Sequence, residues 1–453
     1  MKKQEKNKRE ILNKRKNIII SSNTKGITLI ALVLTIIILM ILAGISINLV
    51  LGDNGIITKA KVAKAEMEQA KQNEEIGLNE TAKYIEEMGA SGSTTNPPTE
   101  IKEITEVKGG DYFEKTTTIK DNNENLIKVP EGFKIADDSG TNVTEGIVIE
   151  DNDIIDGIGN NKGNQYVWVP VGTGIKKSDG TTVDITLGRY IFADGTNDKD
   201  SSGNVLTKGT PILKQSAENY ADETEINVKE IRPTTSDDYV YKELTMSRIG
   251  VVDTSNRLND TNTTALNLKG FIDSVKANGG YYIARYEASY GTDGKANSKI
   301  SNSYSYTKGV VPTAEGTLWN NITQINAATA SRSLYTKATT DLVNSYAWDT
   351  AIVYIQNFSG DTDYSYQEGT GINSSLRNTG TNGDEVCKIN DMASNACEWT
   401  TEYNTETNSS TTCPCTHRGG LYTNKLNYTS TRYNGANTTK IYEIETFRPI
   451  LYI

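Results

Sequence analysis

Histidine is nearly missing from this chain. His417 is the only one among 453 residues, which excludes any mechanism needing two or three imidazoles, such as zinc catalysis on a pair or trio of histidines. Cysteine is scarce as well. Cys387, Cys397, Cys413 and Cys415 are the whole complement and all lie near the C-terminus, so a disulfide-dense scaffold is excluded. Positive charge is in deficit. Lys plus Arg is 47 against 57 Asp plus Glu, a net of −10, which argues against a nucleic-acid partner, since phosphate neutralisation needs a basic surface. Apolar residues make up only 36 %, below the usual share. In their place stand 24 Tyr and an abundance of Asn, Thr, Ser and Gly. That mixture suits a short-stranded, loop-rich surface protein, and its aromatic and β-branched content is too high for a chain disordered throughout.

The charge is unevenly spread. Residues 1–26 hold nine Lys or Arg and two Glu, so the rest of the chain carries −17. Such asymmetry points to a membrane address. From Ile27 to Leu51 no residue is charged. A helix of that length, rising about 1.5 Å per residue, spans roughly 38 Å and crosses a bilayer with some tilt. A cleaved secretory signal has a shorter apolar core, about 7–15 residues. The basic flank predicts a cytoplasmic N-terminus, a single span in the cell membrane and an extracellular C-terminal bulk.

The junction Lys25-Gly26-Ile27-Thr28-Leu29-Ile30 resembles the leader of type IV prepilins and pseudopilins. The resemblance implies cleavage after Gly26, methylation of the new N-terminal Ile27, and other pilin subunits as partners. At the fifth mature position, where pilins carry Glu, this chain has Ala31. Residues 52–88 lack Pro and are rich in helix formers, with Ile56, Ala60, Ala63, Met67 and Ala70 on one stripe, so they read as a stalk helix. Residues 89–101, with Gly, Ser, Thr and Pro97-Pro98, read as a linker.

Residues 102–453 change texture to short strands between turn clusters. The stretches 146–151 and 164–172 predict strands. So does 279–291, with Tyr282, Ile283 and Tyr286 in the core. Residues 173–270 read as polar loops, an insertion or mobile flap. Two helices are predicted, over Ile322–Tyr335 and Tyr346–Phe358, the second with Ala347, Ala351, Tyr354, Ile355 and Phe358 on one face.

The run Asp391-Met392-Ala393-Ser394-Asn395-Ala396-Cys397-Glu398-Trp399-Thr400 is similar to a signature of the formylglycine-generating-enzyme (sulfatase-modifying factor) family. Residues 166–171, 281–289 and 345–355, the RGG of 418–420, and Phe447-Arg448 follow that family's motif order. The resemblance spans roughly residues 110–453 and implies an α+β, C-type-lectin-like fold. Small antiparallel sheets, two helices and much irregular chain would follow the N-terminal transmembrane and stalk helix. In the oxidase members two cysteines after RGG bind copper through soft thiolates. Here those places hold about Asn424 and Thr429, with no cysteine beyond Cys415, so no copper is expected. The iron-dependent sulfoxide synthases of the family need several histidines, which a single His417 excludes. The resemblance also implies a calcium ion at the signature, held by Asp391, Ser394, Ala396 and Glu398, a hard-oxygen set that calcium accepts.

Outside the cytoplasm the four cysteines permit disulfides in three connectivities. A bridge within Cys413-Pro414-Cys415 is strained, so the expected bridge is a long-range one from that pair to Cys387 or Cys397. Between Thr401 and Lys440, 24 of 40 residues are Asn, Thr, Ser or Tyr. Tyr supplies rigid amphipathic area and Asn adaptable hydrogen bonding, as in paratopes. Lectin-fold relatives also serve as the variable proteins of diversity-generating retroelements, which this composition resembles. The expected ligand contacts are Tyr403, Tyr422, Asn424, Asn427, Tyr428 and Tyr433. The expectation is a non-catalytic, membrane-anchored adhesin or ligand-binding protein whose extracellular ligand is a protein or glycan. The alternatives are a structural minor pilin or pseudopilin, and an enzyme of unknown type on the same fold.

Overall fold

The structure, a computed structural model, describes residues 101–152, 163–217, 225–229, 238–242, 265–291, 294–369, 374–404, 415–425, 428–436 and 441–453. Residues 1–100 lie outside the described residues, and with them Gly26, Ile27, the apolar run and the stalk. Glu100–Ile453 forms one compact unit. Among the described residues no helix is long and apolar enough to cross a membrane.

The unit begins with a one-turn helix α1 (Ile104–Val107) and a hairpin of β1 (Thr117–Lys120) and β2 (Leu126–Val129). Strands β3 (Phe133–Ile135), β4 (Val148–Asp151) and β5 (Gln165–Pro170) then lie side by side. Three hairpins follow: β6 (Gly172–Lys176) with β7 (Thr182–Ile185), β8 (Gly188–Phe192) with β9 (Pro211–Ser216), and β10 (Glu225–Lys229) with β11 (Asp238–Lys242). Helix α2 (Leu268–Asn278) runs into β12 (Gly280–Ala284), and the short strands β13 (Ser289–Tyr290) and β14 (Ala296–Asn297) follow. Next come α3 (Gln324–Ser331), β15 (Thr339–Leu342) and α4 (Ser345–Ser359). The chain closes with β16 (Cys397–Asn404), β17 (Cys415–Arg418), β18 (Arg432–Ala436), β19 (Glu445–Phe447) and β20 (Pro449–Tyr452).

Two six-stranded sheets organise these elements. The central one has the order β15-β20-β12-β5-β4-β3 and is antiparallel throughout. The second has the order β10-β11-β16-β17-β18, with β19 joining β16 as its one parallel pair. The architecture is therefore α+β with small antiparallel sheets, and the three strands read from alternation are present. Strand β12 is buried at every position, as is β5 after Gln165. Tyr282, Ile283 and Tyr286 are in the interior as expected.

Helix α4 is buried around most of its circumference, including Trp348 and Asp349, so its neighbours decide its environment more than any amphipathic stripe. The Asn344 side chain accepts from Ala347 N at its start, and Gly360 ends it in the left-handed region, the usual cap chemistry. Helix α3 is shorter than its pattern predicts because Thr323 caps it and Arg332 turns extended.

Two expectations need correction. Helix α2 was not predicted, although Leu268, Phe271, Ile272 and Val275 bury one face at helical spacing. The segment 173–270 is not simply a flap. Strand β8 is largely buried, and its Tyr190 N donates to Asp349 Oδ2 of α4 at 2.9 Å. Its sequence looked polar because its interior partners are charges.

The RGG glycines are held by close approach. A Cβ at Gly420 would sit 1.8 Å from the Ala393 carbonyl oxygen, and Gly419 has φ +91° with Met392 O 2.9 Å from such a Cβ. The turn after β17 therefore lies directly on the 391–400 signature loop.

Candidate ligand-binding face

The signature loop is built on two left-handed residues, Asp391 (φ +66°) and Asn395 (φ +63°). Their polar groups are all engaged. Asp391 Oδ2 accepts from Thr379 Oγ1 at 2.6 Å and Gly380 N at 2.7 Å, and Oδ1 accepts from Asn382 Nδ2. Glu398 takes a bidentate pair from Arg448, with Nε to Oε2 at 2.6 Å. Ser394 Oγ donates to Asp384 Oδ2, whose Oδ1 accepts from Asp391 N at 3.1 Å. The side chains of Asp391, Ser394 and Glu398 thus make protein–protein bonds, and Ala396 N donates to Glu287 Oε1 at 3.1 Å. Among the described residues no group of three His, Cys, Asp or Glu side chains is placed to hold a metal.

Three buried carboxylates, Glu287, Asp391 and Glu398, act on the guanidinium of Arg448, and a fourth, Asp384, lies beside Asp391. Burial, and then the charges of Asp391 and Glu398, hold Glu287 well above the usual carboxylate range. Burial and the neighbouring Asp391 push Asp384 up to about 7. Desolvated like charges this close oppose one another's ionisation.

The same sheet carries a second network. Arg189 of β8, Arg418 of β17 and Arg432 of β18 surround Glu402 of β16 and Asp349 of α4, all buried. Arg432 Nε lies 3.1 Å from both Glu402 oxygens, and its Nη1 donates to Tyr190 O at 3.0 Å. Although burial opposes it, the combined charge of Arg432, Arg189 and Arg418 draws the Glu402 carboxyl down to about 2.

Register explains the surroundings of the single histidine. Trp399, His417 and Tyr433 face one another across β16, β17 and β18, and Phe447 of β19 pairs with Trp399. The His417 ring centroid is 5.5 Å from Trp399 and 4.8 Å from Tyr433, and its Nδ1 is 3.3 Å from Glu445 Oε1.

Among the described residues the expected long-range disulfide from Cys415 is not formed, and one from Cys413 lies outside them. Cys387, Cys397 and Cys415 are thiols rather than half-cystines. Glu398 pairs with Arg418 and Tyr403 with Cys415, so Cys397 and Cys415 stand at opposite ends of the ladder. At about 3.3 Å per residue that is roughly 20 Å, far beyond the reach of about 7 Å between bridged Cα atoms. Cys387 Sγ instead donates to Thr144 O at 3.7 Å. Cys413 lies outside the described residues.

The described side chains among the expected contact residues pack against different neighbours. Tyr403 is in β16, opposite Cys415. Tyr433 packs on His417, and Tyr428 packs on Tyr366 with centroids 5.4 Å apart. Asn424 is half-buried, and Asn427 lies outside the described residues. Tyr422, itself buried, reaches an exposed aromatic group through a 6.3 Å contact with Tyr306.

That group is the candidate face. Tyr304 and Tyr306 are 41 % and 48 % exposed, with ring centroids 5.4 Å apart. Ile300, Val310 and Val311 on the same loop are also exposed. Lys308 Nζ sits 4.7 Å over the Tyr442 ring. A cavity of about 240 Å³ opens beyond, lined by Val311, Trp319, Ile322 and Ile441 with Asn326 and Thr329.

Buried asparagines fix this loop. Asn320 Nδ2 donates to Ser305 O at 2.7 Å and to Glu443 O at 2.8 Å. Asn321 Oδ1 accepts from Gly309 N at 2.8 Å. Asn395 of the signature anchors the other rim. Its Oδ1 accepts from Arg377 N at 2.9 Å, its carbonyl accepts from Tyr422 N at 3.1 Å, and its Nδ2 donates to Glu287. Tyr306 OH donates to Leu376 O at 2.8 Å, next to Arg377. Sequence reasoning missed residues 300–311. The alternation of Ser and Tyr from 303 to 306 was the available signal.

No protein-family model, curated protein or solved structure matches the chain.

Proposed function

We propose that this is an outward-facing ligand-binding protein, carried on a single-span, pilin-like anchor, whose C-type-lectin-like domain resembles formylglycine-generating enzymes without their catalytic cysteines. The meeting of three distant motif pieces supports the fold reading: Gly420 of RGG rests on Ala393 of the signature, and Arg448 of the closing Phe-Arg pairs with Glu398. The observation that carries the binding reading is the exposed pair Tyr304 and Tyr306, held in place by Leu376 O and Asn320. Rigid aromatic area presented to solvent binds at low entropic cost.

The test uses the full-length protein in detergent micelles on an array of glycans and peptides. Wild type is expected to bind a subset, and Y304A/Y306A to lose at least tenfold in signal. Equal signals from both proteins would sink the assignment of this face. The mass of the N-terminal peptide from native membrane tests the anchor, since a pilin-like anchor yields a peptide beginning at methylated Ile27.

A further inference from the structure

We infer that the face around Tyr304, Tyr306 and Tyr422 takes a carboxylate-bearing saccharide, with Arg377 and Lys308 as the anion-binding side chains. The inference rests on the ligand-binding reading above and adds the class of ligand. Arg377 and Lys308 are both exposed; among the described residues neither lies within ion-pair distance of an acid, and the Lys308 charge reaches the buried Glu445. Outside its leader the chain carries −17, so an anionic ligand is repelled from most of the surface and is accepted only where cations are grouped. Glu443, an acid close enough to act on the Tyr422 hydroxyl, is half-buried.

Arg377 is placed by its main chain alone. Its N–H donates to Asn395 Oδ1, and its carbonyl accepts from Asn395 Nδ2 at 3.3 Å. The guanidinium is left to meet a carboxylate in the bidentate geometry that suits it. Beside it, Tyr306 is bonded through its hydroxyl to Leu376 O and turns its ring to solvent. Flat rings of this kind cover the C–H face of a sugar, while Lys308, held over Tyr442, offers a second point charge. The adjoining cavity of about 240 Å³ is smaller than a drug-sized pocket and has Asn and Thr among its lining residues, which fits a single sugar ring.

The experiment measures binding of the full-length protein in uncharged detergent micelles to immobilised hyaluronan, polygalacturonate and polysialic acid. Dextran serves as the neutral saccharide and poly-L-glutamate as the acidic peptide. Binding to at least one carboxylated polysaccharide is expected, at least tenfold tighter than to dextran or poly-L-glutamate. That affinity should fall as NaCl rises from about 50 to about 300 mM. R377Q/K308Q should weaken it at least tenfold while leaving the fold intact, because Arg377 is moored through its main chain and glutamine at 308 gives up a single surface contact, with the Tyr442 ring. Comparable binding to dextran would overturn the anion requirement but leave the aromatic face standing. Tighter binding to poly-L-glutamate would overturn the saccharide. No binding to any of the three polysaccharides, or no effect of R377Q/K308Q, also overturns the inference. The array comparison of Y304A/Y306A separately decides whether the face itself has failed.

Discussion

Replacing Glu402 by Gln should unbalance the arginine network of β8, β17 and β18. In the native domain three guanidiniums face two carboxylates, and Glu402 takes bonds from all three. The substitution keeps the shape and leaves three cations around Asp349 alone. A carboxyl drawn from 4.5 down to about 2 corresponds to about 3 kcal/mol of stability. Breaking a buried ion pair from one side costs about 3–5 kcal/mol, so the two routes agree. Against a total of about 5–15 kcal/mol this is a large share. The sign is set by the lowered folded value. The contribution is present above about pH 4.5 and is lost as pH falls towards 2, where the native carboxyl takes up its proton. The assay is urea unfolding at pH 7, 4 and 2.5, followed by tryptophan fluorescence. All four tryptophans, Trp168, Trp319, Trp348 and Trp399, lie in the domain. Glu402→Gln should cost about 3 kcal/mol at pH 7 and progressively less as the pH drops. A loss below about 1 kcal/mol at pH 7, or one that ignores pH, would refute the electrostatic account.

Three further outcomes follow from the same structure. Gly420→Ala places a methyl against the Ala393 carbonyl and should cost about 2 kcal/mol or more, by the overpacking argument. An unchanged urea midpoint would contradict the close approach. Asp384→Asn should flatten part of the pH profile in the opposite sense. The native group keeps its proton up to about 7 while the unfolded chain releases it near 4, so wild type loses stability as pH rises between those values. The variant should therefore gain at least about 1 kcal/mol on wild type at pH 8, and a variant less stable at pH 8 speaks against it. Asn320→Ala removes both side-chain bonds that tie Ser305 to Glu443. It should cost about 1–3 kcal/mol and speed amide exchange across residues 303–309, whereas unchanged exchange there would mean the loop has other moorings.

Elements with a single dominant physical cause were readable from the residues. Strands β4, β5 and β12 announce themselves by apolar runs between turn residues, and α4 by its spacing. What escaped had mixed causes. Strand β8 is interior, yet Gly188-Arg189-Tyr190 reads as polar, because its burial is compensated by Asp349 and Glu402 from remote parts of the chain. Helix α2 was legible in Leu268, Phe271, Ile272 and Val275, but lay at the edge of a polar stretch that drew attention away from it. The tyrosines of 401–440 were chosen by composition, and composition carries no information about facing. Register sent Tyr433 to His417, and the turn after RGG sent Tyr422 to Tyr306. Register likewise places Cys397 and Cys415 at opposite ends of one ladder, which spacing in the sequence does not reveal.

The moorings of the aromatic rim are made almost wholly to main-chain atoms: Ser305 O, Gly309 N, Leu376 O, Arg377 N and Tyr422 N. A clamp that grips the backbone is indifferent to the side chain each residue bears. Positions 304 and 377 can therefore exchange residues without loosening the frame, whereas Tyr422 is buried and Lys308 lies over Tyr442. Changing partner at such exposed positions takes a few substitutions and leaves these moorings in place.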